Sequence, residues 1–450
     1  MANIVISTHW SDGDVIPFIS IGKYLKKIGH EITIFTHCCY EERIKKEGIS
    51  FVPWDTPDEY EQFFNDLVTY SDIVAGKEDI QHFREKYESV DVRMKEYELL
   101  KPYCKKDDTI LLAKNRSSVA ALLLSEKLNI PIIWVYMNPF EYESIESFNS
   151  INGKMLRDEA NELRERMGLN PIESWLSWHS SPKIKVGLWP KWYRSEMVNE
   201  PEGIRLIGFP LETLSKKVLS IPDALKKILL ENTAPIIISG GSSKKIRNDF
   251  YKISIKACAN LGRKIIVATK YKELLPDIIP SNVYVFDYIP LYQTLAYASL
   301  IINHGGIGTV SNAINAGVPQ LILADCLDRP LNGSIIKKIG VGDYLPPLMW
   351  KEEKIRESVN NLLSQDYKVR CTKFMESNRE DAFHNIGEII ESAEKNKDYY
   401  INYDSIKKCP RDIDDINEKK GNIINSNSLS KEMKRYLLEK NKMKRGLLNE

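Results

Sequence analysis

Two successions of short, continuous apolar runs, separated by stretches of helical periodicity, limit this chain more than any other feature. The first covers residues 4–7, 31–35, 49–52, 109–113 and 131–136, and the second restarts at 235–239 and continues through 264–268, 282–286, 299–303 and 320–323. Runs of Ile, Val and Leu without polar alternation are strands buried on both faces, and the helices between them are the crossovers of a parallel sheet. The pattern predicts an α/β fold of two doubly wound, Rossmann-like sheets. Such sheets bind ligands beyond the C-terminal ends of their strands, so a cleft between the halves is the expected active site.

A length of 450 residues suits two or three domains. Pro201, Gly203, Gly208 and Pro210 punctuate residues 199–220 and mark the join. The expected division is an N-terminal domain at 1–205, a linker at 206–220, a C-terminal domain with return helices at 221–395, and a charged tail at 396–450. Residues 137–182 form a less regular insertion with Phe140, Tyr142, Phe148, Trp175 and Trp178, either a helical cap or the wall of a binding pocket. In the tail, a helix is conceivable over 431–444; the last twenty residues carry seven basic and three acidic side chains, a net +4. That run reads as a solvated appendage or as a weak membrane-surface or protein-docking element.

Lys and Arg total 63 against 62 Asp and Glu, which argues against general nucleic-acid affinity. The seven cysteines form no CxxC pair and no zinc spacing, as expected of reduced thiols. The opening MANIVISTH has no lysine before Lys23 and no signal-peptide pattern, and Lys114, Arg116, Glu126 and Lys127 interrupt the most apolar stretch, 109–137. A cytoplasmic protein is expected, with peripheral membrane contact left open.

The strongest chemical signal is HGGIGT, residues 304–309, between a strand and a helix pattern that runs to Ala316. Gly305, Gly306 and Gly308 let a ligand approach the backbone, and the first helical turn presents unpaired N–H groups to an anion. His304 adds an imidazole and Thr309 a hydroxyl, a set suited to a diphosphate. The alternative is a plain strand–helix turn. Ser311 replaces the third glycine of GxGxxG, which disfavours a nicotinamide dehydrogenase. A second strand ends in SGGSS, residues 239–243, where Gly241 and Ser242 offer flexible backbone and a hydroxyl, or simply a turn.

Residues 282–345, with HGGIGT at their centre, and the opening stretch 13–37, GDVIPFISIGKYLKKIGHEITIFTH, resemble family 1 (UDP-glycosyltransferase-like) glycosyltransferases. The similar branch holds sterol, rhamnolipid and antibiotic glycosyltransferases. The resemblance implies a GT-B fold, with an N-terminal acceptor domain and a C-terminal nucleotide-sugar domain. It places His304, Thr309 and Ser242 on the donor diphosphate, the Ile289 backbone against the base, and Asp328 on the sugar hydroxyls. The next family position is commonly Gln; here Arg329 stands, facing an acidic, modified or phosphate-rich partner or pointing into solvent.

The same resemblance implies an inverting reaction, whose general base takes the acceptor proton. Asp14 of the GDV motif matches that base; capping the following helix is its alternative role. Residues 111–118, LLAKNRSS, hold no carboxylate to assist it, so Asp14 is expected to work alone. His9, at the end of the first strand, is the competing base. No metal constellation stands out, and the DxD of Asp12 and Asp14 is read as coincidental. The expected activity is metal-independent transfer from a UDP- or TDP-sugar to a hydroxyl of a hydrophobic small molecule. A GT-B nucleotide-sugar epimerase and a catalytically degenerate binding partner are the alternatives.

Overall fold

The computed structural model describes residues 1–70, 77–194, 203–211, 221–242, 246–378, 380–395 and 401. The first sheet contains β1 (Asn3–Ser7), β2 (Glu31–Thr36), β3 (Ser50–Pro53), β4 (Thr109–Lys114), β5 (Ile132–Tyr136), β6 (Ile184–Gly187) and β7 (Ile204–Leu206). Its order is β3-β2-β1-β4-β5-β6-β7, and every neighbouring pair is parallel. The second contains β8 (Ile236–Ser239), β9 (Ile265–Ala268), β10 (Val283–Phe286), β11 (Leu300–Asn303), β12 (Gln320–Leu323) and β13 (Gly342–Leu345). Its order is β10-β9-β8-β11-β12-β13, again parallel throughout.

Alternate residues of each strand enter different cores, as the pleat requires. On one face of the first sheet, Val5, Leu111, Ile132 and Trp134 pack with helix Val119–Leu128. On the other, Ile4, Ile6, Leu112 and Ile133 meet helix Asp12–Lys27. Three strands have no counterpart in the apolar pattern. β6, β7 and β13 are only three or four residues long and carry Lys185, Arg205 and Asp343.

The last described helix, Ala382–Lys395, returns to the first sheet, where Ile386, Ile389 and Ile390 join the core beside helix Asp12–Lys27. Of the segment expected as linker, Leu206 ends β7 and residues 212–220 lie outside the described residues. The charged tail, including the helix considered at 431–444, also lies outside them apart from Ile401, which bridges to Pro182. No helix among the described residues is long and apolar enough to cross a membrane.

The insertion at 137–182 folds as helices Pro139–Glu143, Ile145–Arg166 and Trp175–His179. Trp178 is fully buried and its indole N–H donates to Glu126 at 3.1 Å; Arg164 grips the same carboxylate at 2.5 and 2.7 Å. The segment is thus a packed cap, and Phe148 and Trp175 also line a cavity beneath it.

Ile390→Ala empties a side-chain site buried between helix Ala382–Lys395 and the first sheet. We expect a loss of about 2–5 kcal/mol, measured as an earlier first transition in urea unfolding.

Candidate active site

In each sheet the strand order reverses at one place: between β1 and β4 in the first, and between β8 and β11 in the second. Loops leaving neighbouring strands in opposite directions open a crevice there. Asp14 stands in the first turn of the helix that follows β1 and Lys114 is the last residue of β4, while the loops after β8 and β11 carry Gly241 and His304.

His304 is wedged between two glycines. A Cβ on Gly241 would stand 2.6 Å from its Cε1, and one on Gly306 would stand 2.6 Å from its Nε2. Gly241 also has φ +83°, a region disfavoured for other residues. The imidazole therefore joins the SGGSS and HGGIGT loops, although they lie more than sixty residues apart in sequence. Burial, and then the charge of Arg329, push the His304 pKa well below its ordinary value, so the ring is neutral. Its Nδ1 is buried without a partner.

Gly305, at φ +89°, lies tight against Ile322 and Arg329, and its N–H donates to Asn303 Oδ1 at 2.8 Å. In helix Ile307–Asn315 the N–H groups of Thr309 and Val310 donate to the Gly306 carbonyl. Those of Ile307 and Gly308 have no helical acceptor, as at any helix start. A Cβ on Gly308 would meet nothing within 4 Å, so this turn is open to a ligand. Thr309 is buried and Ser242 exposed; the Ser242 carbonyl accepts from the Tyr271 hydroxyl at 3.3 Å. Ile289 is buried in the core.

Asp328 follows Leu327, a non-glycine residue at φ +59°. Its Oδ2 accepts from Asn332 at 2.9 Å and from Asn138, at the end of β5, at 3.4 Å. Asn332 also donates to the Gly305 carbonyl at 2.9 Å and accepts from the Tyr193 hydroxyl at 2.8 Å. Burial pushes the Asp328 carboxyl from an ordinary 3.8 to about 6, against the pull of Arg329. Arg329 does not point into solvent, which corrects one of the two orientations expected for it. It is 5% exposed, and Nη1 donates to Asp325 Oδ1 at 3.2 Å. A cation taken from water at this depth needs a counter-charge, and Asp325 one turn earlier supplies it.

Asp14 does not stand alone, a second correction. Its Oδ2 accepts from the Ser11 N–H at 3.1 Å and the Ser11 hydroxyl at 2.7 Å, closing a capping box at the start of helix Asp12–Lys27. Its Oδ1 lies 3.3 Å from Lys114 Nζ, which lies 3.3 Å from Glu141 Oε1 and 4.3 Å from the Trp10 ring centroid. Burial alone would strip the Lys114 proton, but Glu141 and Asp14 outweigh it and raise the pKa. Glu141 is held in turn by the Met137 N–H at 2.8 Å. Asp12 accepts instead from the Tyr40 hydroxyl at 2.8 Å, so the two carboxylates of the DxD turn to separate partners.

His9 is 1% exposed, stacked on Trp54 at 4.7 Å, with neither ring nitrogen hydrogen-bonded. Burial, and then the nearby His37, lower its pKa well below the ordinary value. His37 has a separate task. Its Nδ1 pairs with Asp55 at 2.6 Å, and its Nε2 accepts from the N–H of Trp10, whose φ is +98°. Sequence reasoning missed Lys114, Glu141, Asn332 and Tyr193. A lysine ending the apolar run of β4 was the available sign for the first; the others lie far apart in sequence and leave no local pattern.

Two outcomes follow from this geometry. Gly241→Ala drives a methyl into His304, so UDP or dTDP binding by calorimetry should weaken at least roughly tenfold with circular dichroism unchanged. The folded chain binds the Asp328 proton more tightly than the unfolded chain. The stability tied to that proton is full below 3.8 and is lost as pH rises through about 6. Asp328→Asn should flatten this decline in urea unfolding at a series of pH values.

Residues 4–139 match the N-terminal domain of glycosyltransferase family 28, and residues 252–382 match the C-terminal domain of erythromycin biosynthesis protein CIII-like proteins. The NDP-glycosyltransferase YjiC of Bacillus subtilis (strain 168) is 23% identical, over 82% of this chain and 91% of its own length. A sterol 3-beta-glucosyltransferase of Aspergillus fumigatus is 24% identical over 75% of this chain, which spans only 26% of that longer protein. The structure of glycosyltransferase VinC in complex with dTDP matches with a TM-score of 0.64 and 17% identity, covering 87% of this chain and all of VinC, and carries the same fold. Both halves, in the same order and on the same two-sheet frame, make this chain a GT-B glycosyltransferase, related to sterol glucosyltransferases and antibiotic NDP-glycosyltransferases.

Proposed function

We propose that the chain transfers a sugar from a UDP- or dTDP-sugar to a hydroxyl of a hydrophobic small molecule, with inversion and without a metal. The observation that carries this reading is His304, locked between Gly241 and Gly306 beside the open first turn of helix Ile307–Asn315. In this reading residues 1–205 receive the acceptor, 206–220 link, 221–395 receive the donor, and the tail from 396 takes no part in the chemistry. The sterol-glucosylating relative and VinC, solved with dTDP, support a ring-built acceptor and a dTDP carrier.

The Ile307 and Gly308 N–H groups, the neutral His304, Thr309 and Ser242 receive the diphosphate. Asp328 accepts from sugar hydroxyls, and the Ile289 main chain meets the base. Charge gathering on the departing diphosphate meets the helix end and the field of Arg329. No divalent ion is assigned, because these groups already oppose that charge.

Across the crevice, Asp14 takes the acceptor proton. The acceptor oxygen bonds to the anomeric carbon from the face opposite the diphosphate, and the carbon–oxygen bond to phosphate breaks with its electron pair leaving on the diphosphate. Asp14 suits this role because its side chain is 20% exposed while Ser11 and Lys114 fix its position. His9, sealed against Trp54, has no exposed nitrogen to offer and is assigned no proton transfer.

Asp14→Asn should lower transfer by about 10²–10⁴-fold while calorimetric binding of UDP or dTDP persists. Unchanged turnover with a UDP- or dTDP-sugar donor would remove Asp14 from the base role.

A further inference from the structure

Around the cap and the end of β4, buried and half-buried cations are matched by carboxylates. Lys114 lies between Asp14 and Glu141, 3.3 Å from each. Arg93 donates to both Glu96 oxygens at 3.0 and 3.1 Å, Arg84 to Glu159 at 2.7 Å, and Arg164 to Glu126 at 2.5 and 2.7 Å. Arg116 breaks the pattern. Its guanidinium lies 4.7 Å from the Phe148 ring centroid, Nη2 donates to Ser144 Oγ at 3.2 Å, and Nε is buried without a partner. Among the described residues no carboxylate forms an ion pair with it.

Arg116 lines a cavity of about 90 Å³ with Trp10, Phe148, Trp175 and His179; Glu88 and Glu159 line it too, and both carboxylates are paired with Arg84. Trp175 and His179 stack at 4.5 Å, so one wall is flat and aromatic. His179 adds no charge. Burial lowers its pKa to about 3, its Nε2 donates to the Asn115 carbonyl at 3.0 Å, and its Nδ1 has no partner. Arg84 and Arg93 also line the cavity but are paired with Glu88, Glu159 and Glu96, so the positive charge there without a counter-ion among the described residues is that of Arg116.

We propose that this cavity holds an anionic end of the acceptor, a carboxylate on an aromatic or fused-ring skeleton, paired with Arg116. Calling the ligand an acceptor rests on the glycosyl-transfer reading above; the pairing itself does not. Size limits the occupant: a cavity of about 150 Å³ holds a benzene, so the space here takes an end group while the rest of the molecule extends outward. Trp10 at the cavity wall carries Lys114, which touches Asp14. A ligand anchored at Arg116 and lying along Trp10 thus directs its far hydroxyl towards Asp14. A guanidinium and a carboxylate in partly dry surroundings form a charge-assisted pair that an ester cannot replace.

Calorimetric titration of the full-length protein with 6-hydroxy-2-naphthoate and with its methyl ester tests the assignment. The acid should bind at least roughly tenfold more tightly, the preference should vanish in Arg116→Gln, and Arg116→Lys should keep part of it. Equal binding of acid and ester to the wild-type protein, binding of neither, or a preference that survives Arg116→Gln would overturn it. The wild-type comparison decides even if a variant fails to fold. Titration of UDP and dTDP into the same preparations separates the two readings. Nucleotide binding without an acid preference sinks only the carboxylate site, whereas an acid preference without nucleotide binding keeps the site and removes the donor reading.

Discussion

A parallel sheet covered on both faces has no free surface for chemistry except its rim. Every strand end in this chain obeys that constraint. Ile4 and Leu112 face one core and Val5 and Leu111 the other, so the polar groups of the candidate site gather where the strands stop. The places where strand order turns back, between β1 and β4 and between β8 and β11, are where neighbouring loops part. Asp14, Lys114, Gly241 and His304 all stand there. The position of the chemistry is thus a result of sheet topology before any particular side chain is considered.

What the side chains add is a run of polar contacts between the two rims. Lys114 sits between Asp14 and Glu141; the Glu141 N–H donates to the Asn138 side chain; Asn138 donates to Asp328; and Asn332 ties Asp328 to the Gly305 carbonyl. Each member is enclosed enough that losing a partner would strand a polar group. This mutual dependence explains a lysine in a strand that is otherwise apolar. Its charge is tolerated because two carboxylates face it, and they in turn are held by main-chain and side-chain donors.

The frame was legible because both signals behind it are local. Isoleucine-rich runs announce buried parallel strands within four or five residues, and HGGIGT announces a strand–helix turn within six. The short strands β6, β7 and β13 were not legible, since Lys185, Arg205 and Asp343 break their apolar character and their place is set by neighbours. The Asp14 environment was half legible. The capping box is written in Ser11 and Asp14, but Lys114 from β4 and Glu141 from helix Pro139–Glu143 are brought beside it only by folding. Arg329 differs: its counter-ion, Asp325, is only four residues earlier, but the pairing depends on how the loop after β12 folds back at the start of the next helix.

Helix Ala382–Lys395 returns to the first sheet after the chain has built the second. The polypeptide therefore passes between the halves twice, once after β7 and once ahead of this helix. A single tether would leave two lobes free to swivel and twist. Two tethers define an axis: the lobes can rock about the line joining the crossings, which widens or narrows the crevice, while torsion across it is resisted by covalent bonds. Approach of the Asp14 rim to the His304 rim is thereby confined to a hinge-like path.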